Sequence, residues 1–137
     1  MTTTRIARSA DDRLQHIVWD ESSPLTVTAQ TARGTITTRH GRFSGGRAEG
    51  VEIVQINTGA AIVNVLPSRG MAVWDIECGR TRFGWDSPVN GPVHPSLVPV
   101  HDPGGLGWLE GFDELLVRCG LESNGAPEHD ESGKLVY

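Results

Sequence analysis

The sequence predicts an all-β protein, an antiparallel β-sandwich, on three observations. Apolar and polar residues alternate with a period of two along most of the chain, as they do in half-buried strands. Short turns separate these runs, which leaves no room for the crossover helices that parallel strands need. The composition, with 37% hydrophobic residues and 17 Gly among 137 residues, is that of one globular domain.

The first third of the chain carries the weaker signals. Asp11–Trp19 is the one stretch with helical spacing, and it predicts a short peripheral helix. Leu25–Thr31 and Gly34–Arg39 are rich in Thr and Val and predict strands. The glycines that follow predict a loop or a wide hairpin over Gly41–Gly50.

The middle of the chain predicts an antiparallel meander. Four β-type runs follow one another with only tight turns between them: Val51–Asn57, Ala60–Leu66, Met71–Cys78 and Arg82–Trp85. Strands joined by such short connections pair with their neighbours in sequence.

The last part alternates between loop and strand signals. Five prolines within Pro88–Pro103 exclude a helix or a central strand, but the apolar residues between them predict an ordered loop over a sheet. Asp113–Glu122 predicts a strand that buries Leu115, Val117, Cys119 and Leu121 on one face. Residues 134–137 resemble the start of a new apolar element, so we expect a fragment of a longer protein.

Charge and composition narrow the possible partners. The net charge of −5 argues against nucleic acid, because phosphate binding needs clustered cations. No apolar run of about 18 residues predicts a membrane span, and the first residues lack the apolar core of a secretory signal. We therefore expect a cytoplasmic protein. Cys78 and Cys119 fit two buried thiols better than a disulfide.

Histidines and acidic residues provide weak candidates for chemistry. His94 and His101, with Asp102 adjacent, resemble a loose metal site, but histidines that hydrogen-bond to loop backbone are the favoured interpretation. His129 lies in an acidic cluster that suits calcium binding or acid–base chemistry, and a solvated loop explains it better. The sequence therefore predicts no metal and no cofactor.

Arg69 and Asn124 are the candidates for substrate contacts. Arg69 lies in a tight turn between two apolar strands, where its planar guanidinium could bind hydroxyls or a carboxylate; a surface arginine is the equal alternative. Asn124 precedes Gly125, so it either caps a turn or presents an amide to a ligand. A Trp beside a polar pocket would suit the apolar face of a sugar ring.

Six short motifs occur in a fixed order along the chain. They are Arg69-Gly70-Met71, Trp85-Asp86-Ser87-Pro88, Val93-His94-Pro95, Gly105-Leu106-Gly107-Trp108-Leu109, Cys119-Gly120-Leu121 and Asn124-Gly125-Ala126-Pro127. This order resembles the aldose-1-epimerase-like branch of the galactose mutarotase superfamily. The resemblance covers residues 33–137, which we assign to the N-terminal portion of a mutarotase-like β-sandwich. Residues 1–32 are assigned to an N-terminal extension, for which partial disorder is an open alternative.

The resemblance implies a β-sandwich that binds a small-molecule sugar in a cleft on one sheet and interconverts its anomers. In such proteins a carboxylate takes the proton of the anomeric hydroxyl while an imidazole protonates the ring oxygen. The family's Leu-His-Gly-Arg segment and catalytic glutamate would follow Tyr137, so no catalytic residue is assigned in this chain. Arg69 and Asn124 occupy matching positions as substrate-binding residues. The alternative is a non-catalytic carbohydrate-binding or scaffold β-sandwich.

Overall fold

The computed structural model describes residues 16–89, 91–101, 104–118 and 128–136. These ranges contain nine strands: β1 (His16–Asp20), β2 (Thr28–Thr31), β3 (Gly34–Ser44), β4 (Glu52–Asn57), β5 (Ala61–Leu66), β6 (Ala72–Cys78), β7 (Thr81–Gly84), β8 (Glu128–His129) and β9 (Leu135–Val136). The helical elements in the same ranges are single 3₁₀ turns at Gly46–Ala48, Pro67–Arg69, Pro95–Leu97 and Gly107–Gly111. The all-β, antiparallel prediction is confirmed. In the described ranges no helix is long and apolar enough to cross a membrane.

Seven of the strands form one antiparallel sheet in the order β1-β3-β4-β5-β6-β7, with β2 also paired to β3. The predicted meander is confirmed from β3 to β7, where each strand pairs with its neighbour in sequence. Strands β1 and β2 pair with the second and first halves of β3. Residues 16–20 and 28–31, from the proposed N-terminal extension, thus belong to this sheet.

The helix predicted over Asp11–Trp19 is wrong for its described part, because His16–Trp19 belong to β1. Trp19 pairs in register with Gly41 on β3. A Cβ built on Gly41 would lie 2.8 Å from the Val18 carbonyl oxygen and 3.0 Å from the Trp19 ring. Glycine therefore permits this close approach, and pairing with the long edge of β3 outweighs the local helical spacing.

The two faces of the sheet follow from the strand register, because residues paired across strands share a face. On the first, which we call face A, Phe43, Ile53, Leu66 and Trp74 form the core together with Ala48 and Val51. The rings of Phe43 and Trp74 meet edge to face at 5.5 Å. The opposite surface, face B, carries an apolar row of register partners from neighbouring strands: Ile56, Val63, Ile76 and Phe83.

Over its described residues, 88–89 and 91–101, the proline-rich segment is an ordered loop, as predicted. Val93 is fully buried and Val98 is 8% exposed. The His94 amide donates to the Arg47 carbonyl oxygen at 2.8 Å, which ties the loop to the turn after β3.

The strand predicted over Asp113–Glu122 is wrong for its described residues. An isolated bridge joins Leu116 to Val73, and Leu115 and Val117 are 39% and 49% exposed instead of buried. Strand β7 already occupies the same edge of β6 from Asp75 to Cys78, so only the first residues of β6 remain free to pair. Cys119 and Leu121 lie outside the described residues.

The thiol prediction is wrong for Cys78. This residue ends β6 at the β6–β7 hairpin, where its side chain is exposed. Strand alternation alone does not bury the last residue of a strand that has nothing packed on it. Cys119, the second predicted buried thiol, lies outside the described residues.

Candidate active site on face A

A row of polar side chains crosses face A from strand to strand. Gln55 on β4, Asn64 on β5 and Asp75 on β6 are register neighbours. Gln55 Nε2 donates to Asn64 Oδ1 at 3.1 Å, and Asn64 Nδ2 donates to Asp75 Oδ1 at 2.6 Å. Arg82 Nε donates to Asp75 Oδ2 at 3.0 Å from β7. These four residues form the polar row.

A β-bulge places Asp75 in the polar row next to the core. Asn64 pairs with Asp75 but Val65 pairs with Val73, so Trp74 is an extra residue on β6. The bulge breaks the alternation and leaves both Trp74 and Asp75 buried, although they are consecutive. One strand thus supplies an indole to the core and a carboxylate to the polar row.

A glycine on β7 lets Arg82 reach the row. Gly84 pairs with Asp75 across the strands, two residues beyond Arg82. A Cβ on Gly84 would lie 2.8 Å from the guanidinium carbon of Arg82. Because Gly84 lacks that atom, the Arg82 side chain lies over the strand and ends beside the Asp75 carboxylate.

Burial divides the polar row into fixed and accessible members. Asn64 is 2% exposed and Asp75 is fully buried, so their hydrogen bonds compensate for desolvation. Gln55 is half-buried, and the Arg82 side chain is 36% exposed. The row therefore presents an amide and a guanidinium at its surface, held from beneath by buried partners.

A second group, which we call the Arg69 clamp, comprises Arg69, Gly111 and Glu114. Arg69 Nε donates to Glu114 Oε1 at 2.7 Å, and Nη2 donates to the Gly111 carbonyl oxygen at 2.8 Å. The two charged side chains are 14% and 2% exposed. A Cβ on Gly111 would lie 3.4 Å from both terminal nitrogens of Arg69, so glycine suits this close contact. The clamp holds the segment before Leu115 against the turn between β5 and β6.

Asp113 connects the clamp to Trp74, the residue before Asp75 on β6. Its Oδ2 accepts a hydrogen bond from Trp74 Nε1 at 2.8 Å, and its amide donates to Glu114 Oε2 at 2.9 Å. Burial raises the pKa of Asp113 to about 6; the Trp74 hydrogen bond opposes this rise, and the charges of Glu114 and Asp75 add to it. A carboxyl with such a pKa exchanges its proton close to neutral pH.

An aromatic cluster surrounds Phe112, the residue before Asp113. Phe112 contacts Trp85 and Trp108 edge to face, with ring centroids 4.8 Å and 5.2 Å apart. Trp85 and Trp108 are each 46% exposed. Half-exposed rings of this kind suit the apolar face of a sugar ring.

The sequence predicts Arg69 and Asn124 as substrate contacts, and the structure describes only the first of them. Arg69 lies in the clamp, with its Nε and Nη2 bonded inside the chain, and its contact with a sugar stays a prediction. Asn124 lies outside the described residues, so its role also stays a prediction.

The candidate histidines have local partners or exposed positions. His94 Nδ1 lies 2.8 Å from Ser96 Oγ and accepts from the Ser96 amide, which caps the 3₁₀ turn at Pro95–Leu97. His101 and His129 are exposed. In the described part of the chain no group of three His, Cys, Asp or Glu residues could hold a metal ion.

The sequence reasoning missed three acidic residues of the site, Asp75, Asp113 and Glu114. Asp75 is a charged residue inside the apolar run Met71–Cys78, and such an interruption indicates a buried, partnered carboxylate. The pair Asp113-Glu114 stands between an aromatic and an apolar run. Their partners Trp74 and Arg69 are distant in sequence, so spacing could not reveal them.

Comparison with known proteins agrees with this fold. The chain is a galactose mutarotase-like protein. It belongs to the family described as a domain of unknown function (DUF4432), whose model matches residues 48–136. It is similar to a crystal structure described as a "putative aldose 1-epimerase" from Klebsiella pneumoniae subsp. pneumoniae MGH 78578, with a TM-score of 0.65 and 30% identity. That match covers 90% of this chain and 31% of the other. No curated protein matches the chain.

Proposed function

We propose that the chain carries the sugar-binding part of an aldose 1-epimerase-like protein that interconverts sugar anomers. The sugar lies on face A, across the polar row and beside the Arg69 clamp. The polar row is the observation that carries this proposal, because a line of interlocked donors and acceptors suits hydroxyl groups, which both donate and accept. The 30% identity to the Klebsiella protein over 90% of the chain supports the assignment.

The row offers hydroxyl contacts that are fixed before the sugar binds. The Gln55 amide and the Arg82 guanidinium are its surface members, and Asn64 and Asp75 hold them in place through hydrogen bonds of 3.1 Å and 3.0 Å. Such preorganisation reduces the entropy lost on binding. Trp85 would cover the apolar face of the ring.

Arg69 and Asn124 remain our proposed contacts to the sugar. In the described part of the chain, Arg69 Nη1 has no hydrogen-bond partner, whereas Nε and Nη2 do. One edge of the guanidinium is therefore left for a hydroxyl. Asn124 is proposed on its position in the family motif alone.

Anomer interconversion also needs an acid and a base. The chain covers 31% of the Klebsiella protein. Anomer interconversion is therefore proposed for a whole protein of that kind, and sugar binding for the residues of this chain. The resemblance places a histidine and a glutamate beyond Tyr137. Burial raises the pKa of Asp113 to about 6, which suits proton exchange near neutral pH.

The test is anomer exchange, measured by NMR on a panel of aldoses with the protein from the complete reading frame and with the 137-residue chain alone. We expect exchange to accelerate with the complete frame, whose sequence past Tyr137 should contain Leu-His-Gly-Arg. We expect the 137-residue chain to bind sugar without accelerating exchange. Binding without exchange by the complete frame would favour the non-catalytic alternative. Failure of both proteins to bind any aldose would refute the proposal.

A further inference from the structure

We propose that Glu114 is a positioning and specificity-determining residue of this site, which orients Arg69 and cancels its charge so that anionic sugars are rejected. This inference rests on the proposed function, because it assumes that Arg69 contacts the sugar. The buried Glu114 carboxylate would then determine which sugars bind, in addition to stabilising the fold.

The geometry fixes Glu114, and through it Arg69. Glu114 Oε1 accepts from Arg69 Nε at 2.7 Å, and Oε2 accepts from the Asp113 amide at 2.9 Å. With both oxygens bonded and the side chain 2% exposed, the carboxylate has one orientation available. The Gly111 carbonyl oxygen holds Nη2 at 2.8 Å. Two anchors on a planar group define its plane, so the direction of the remaining Nη1 donors is set before a sugar arrives.

The charges around the clamp disfavour an anionic ligand. Two arginines, Arg69 and Arg82, each lie against a carboxylate, Glu114 at 2.7 Å and Asp75 at 3.0 Å. Asp113 adds negative charge above pH about 6. Glu77, the register partner of Arg82 on face A, adds more. Among the described residues of the clamp and the polar row, a uronate or phosphate group would therefore meet no uncompensated cation, and burying it beside these carboxylates would cost free energy.

Removing the charge of Glu114 tests this proposal. Glu114→Gln keeps an oxygen for Arg69 Nε but leaves the guanidinium uncompensated. Titrations of the complete protein would compare an aldohexose, the uronic acid of the same configuration and the hexose 6-phosphate. We expect the preference for the neutral sugar to fall by about tenfold or more, chiefly through tighter binding of the two anions. The matched control is Glu110→Gln, which removes the same charge from an exposed residue of the same segment. It should change the preference by less than about twofold.

A double variant shows whether the two charges act as a pair. Glu114→Gln and Arg69→Gln should shift the preference in opposite directions, so the variant that carries both changes, with neither charge left, should return to within about twofold of the wild-type preference. If Glu114→Gln fails to fold by its thermal melt, Arg69→Gln carries the test, titrated below its own melting temperature because the unpaired carboxylate destabilises it. It leaves the carboxylate uncompensated and should raise the preference for the neutral sugar by about tenfold.

The outcomes separate the two proposals. Wild-type protein that binds the aldohexose, with an unchanged preference in Glu114→Gln and Arg69→Gln, would overturn the role of Glu114 and leave the proposed function standing. An equal change in Glu114→Gln and Glu110→Gln would overturn it as well, since a general charge effect would explain both. Wild-type protein that binds none of the three sugars would overturn the proposed function itself.

Discussion

The raised pKa of Asp113 predicts a specific dependence of stability on pH. The carboxyl has a pKa of about 6 in the folded chain against 3.8 for the free side chain, so the folded state holds the proton more tightly. Asp113 therefore stabilises the fold fully below pH 3.8, and this contribution is lost as the pH rises to about 6. A difference of roughly 2 pKa units corresponds to about 3 kcal/mol at 1.36 kcal/mol per unit, an upper bound for this site.

The variant Asp113→Asn isolates this contribution. The amide oxygen can still accept from Trp74 Nε1, but the side chain no longer ionises. We expect the variant to match wild type at pH 4 and to exceed it by about 1–3 kcal/mol at pH 7. Urea denaturation at a series of pH values from 3 to 8 measures the difference, in which titrating groups distant from Asp113 cancel.

A control of opposite sign accompanies this experiment. The hydrogen bond from the Ser132 side chain lowers the pKa of the exposed Asp130, so its carboxylate stabilises the turn above its ordinary pKa. Asp130→Asn should therefore be less stable than wild type at pH 7, and the deficit should vanish as the pH falls below 3.8. A difference between Asp113→Asn and wild type that stays constant from pH 4 to 8 would refute the reasoning about Asp113.

Two further substitutions and one labelling experiment have defined outcomes. Arg69→Met should lower the free energy of unfolding by about 3–5 kcal/mol, because it leaves the buried Glu114 carboxylate unpaired; a loss below about 1 kcal/mol in urea titration would show that the clamp is weak. Gly41→Ala should cost about 1–3 kcal/mol in the same assay, since its Cβ would overlap the Val18 carbonyl oxygen, and an unchanged midpoint would argue against the β1–β3 packing. Cys78 should react with a thiol reagent in the native protein as fast as in denaturant, and slow native labelling would contradict its exposure.

The sequence was informative wherever local alternation determines structure. Strands β4 to β6 are apolar runs bounded by tight turns, so their existence and pairing could be predicted to within a residue or two. The edge strand β1 could not, because its pairing depends on Gly41, which is distant in sequence and admits Trp19. The spacing of apolar residues favours a helix in this segment, but pairing with β3 makes it a strand.

The candidate site was less accessible to sequence reasoning than the sheet. Arg69 was identified by its turn, but its partner Glu114 is 45 residues away along the chain. The bulge at Trp74 is equally invisible, since it depends on a register shift between β5 and β6. This register shift brings the Asp75 side chain into the polar row. Contacts between residues distant in sequence build the site, and such contacts leave no short motif.

The account's central claim is that the sugar binds on face A, and one matched pair of variants tests it most directly. Arg82 on face A lies 3.0 Å from Asp75, and Arg42 on face B lies 3.0 Å from Glu52. The best aldose of the panel is titrated into the complete protein and into Arg82→Gln and Arg42→Gln. We predict that Arg82→Gln weakens sugar binding by about ten- to a hundredfold, as expected for one lost hydrogen bond to a charged donor, and that Arg42→Gln stays within about twofold of wild type. Equal affinities for the two variants, or a larger loss for Arg42→Gln, would contradict the placement of the sugar on face A.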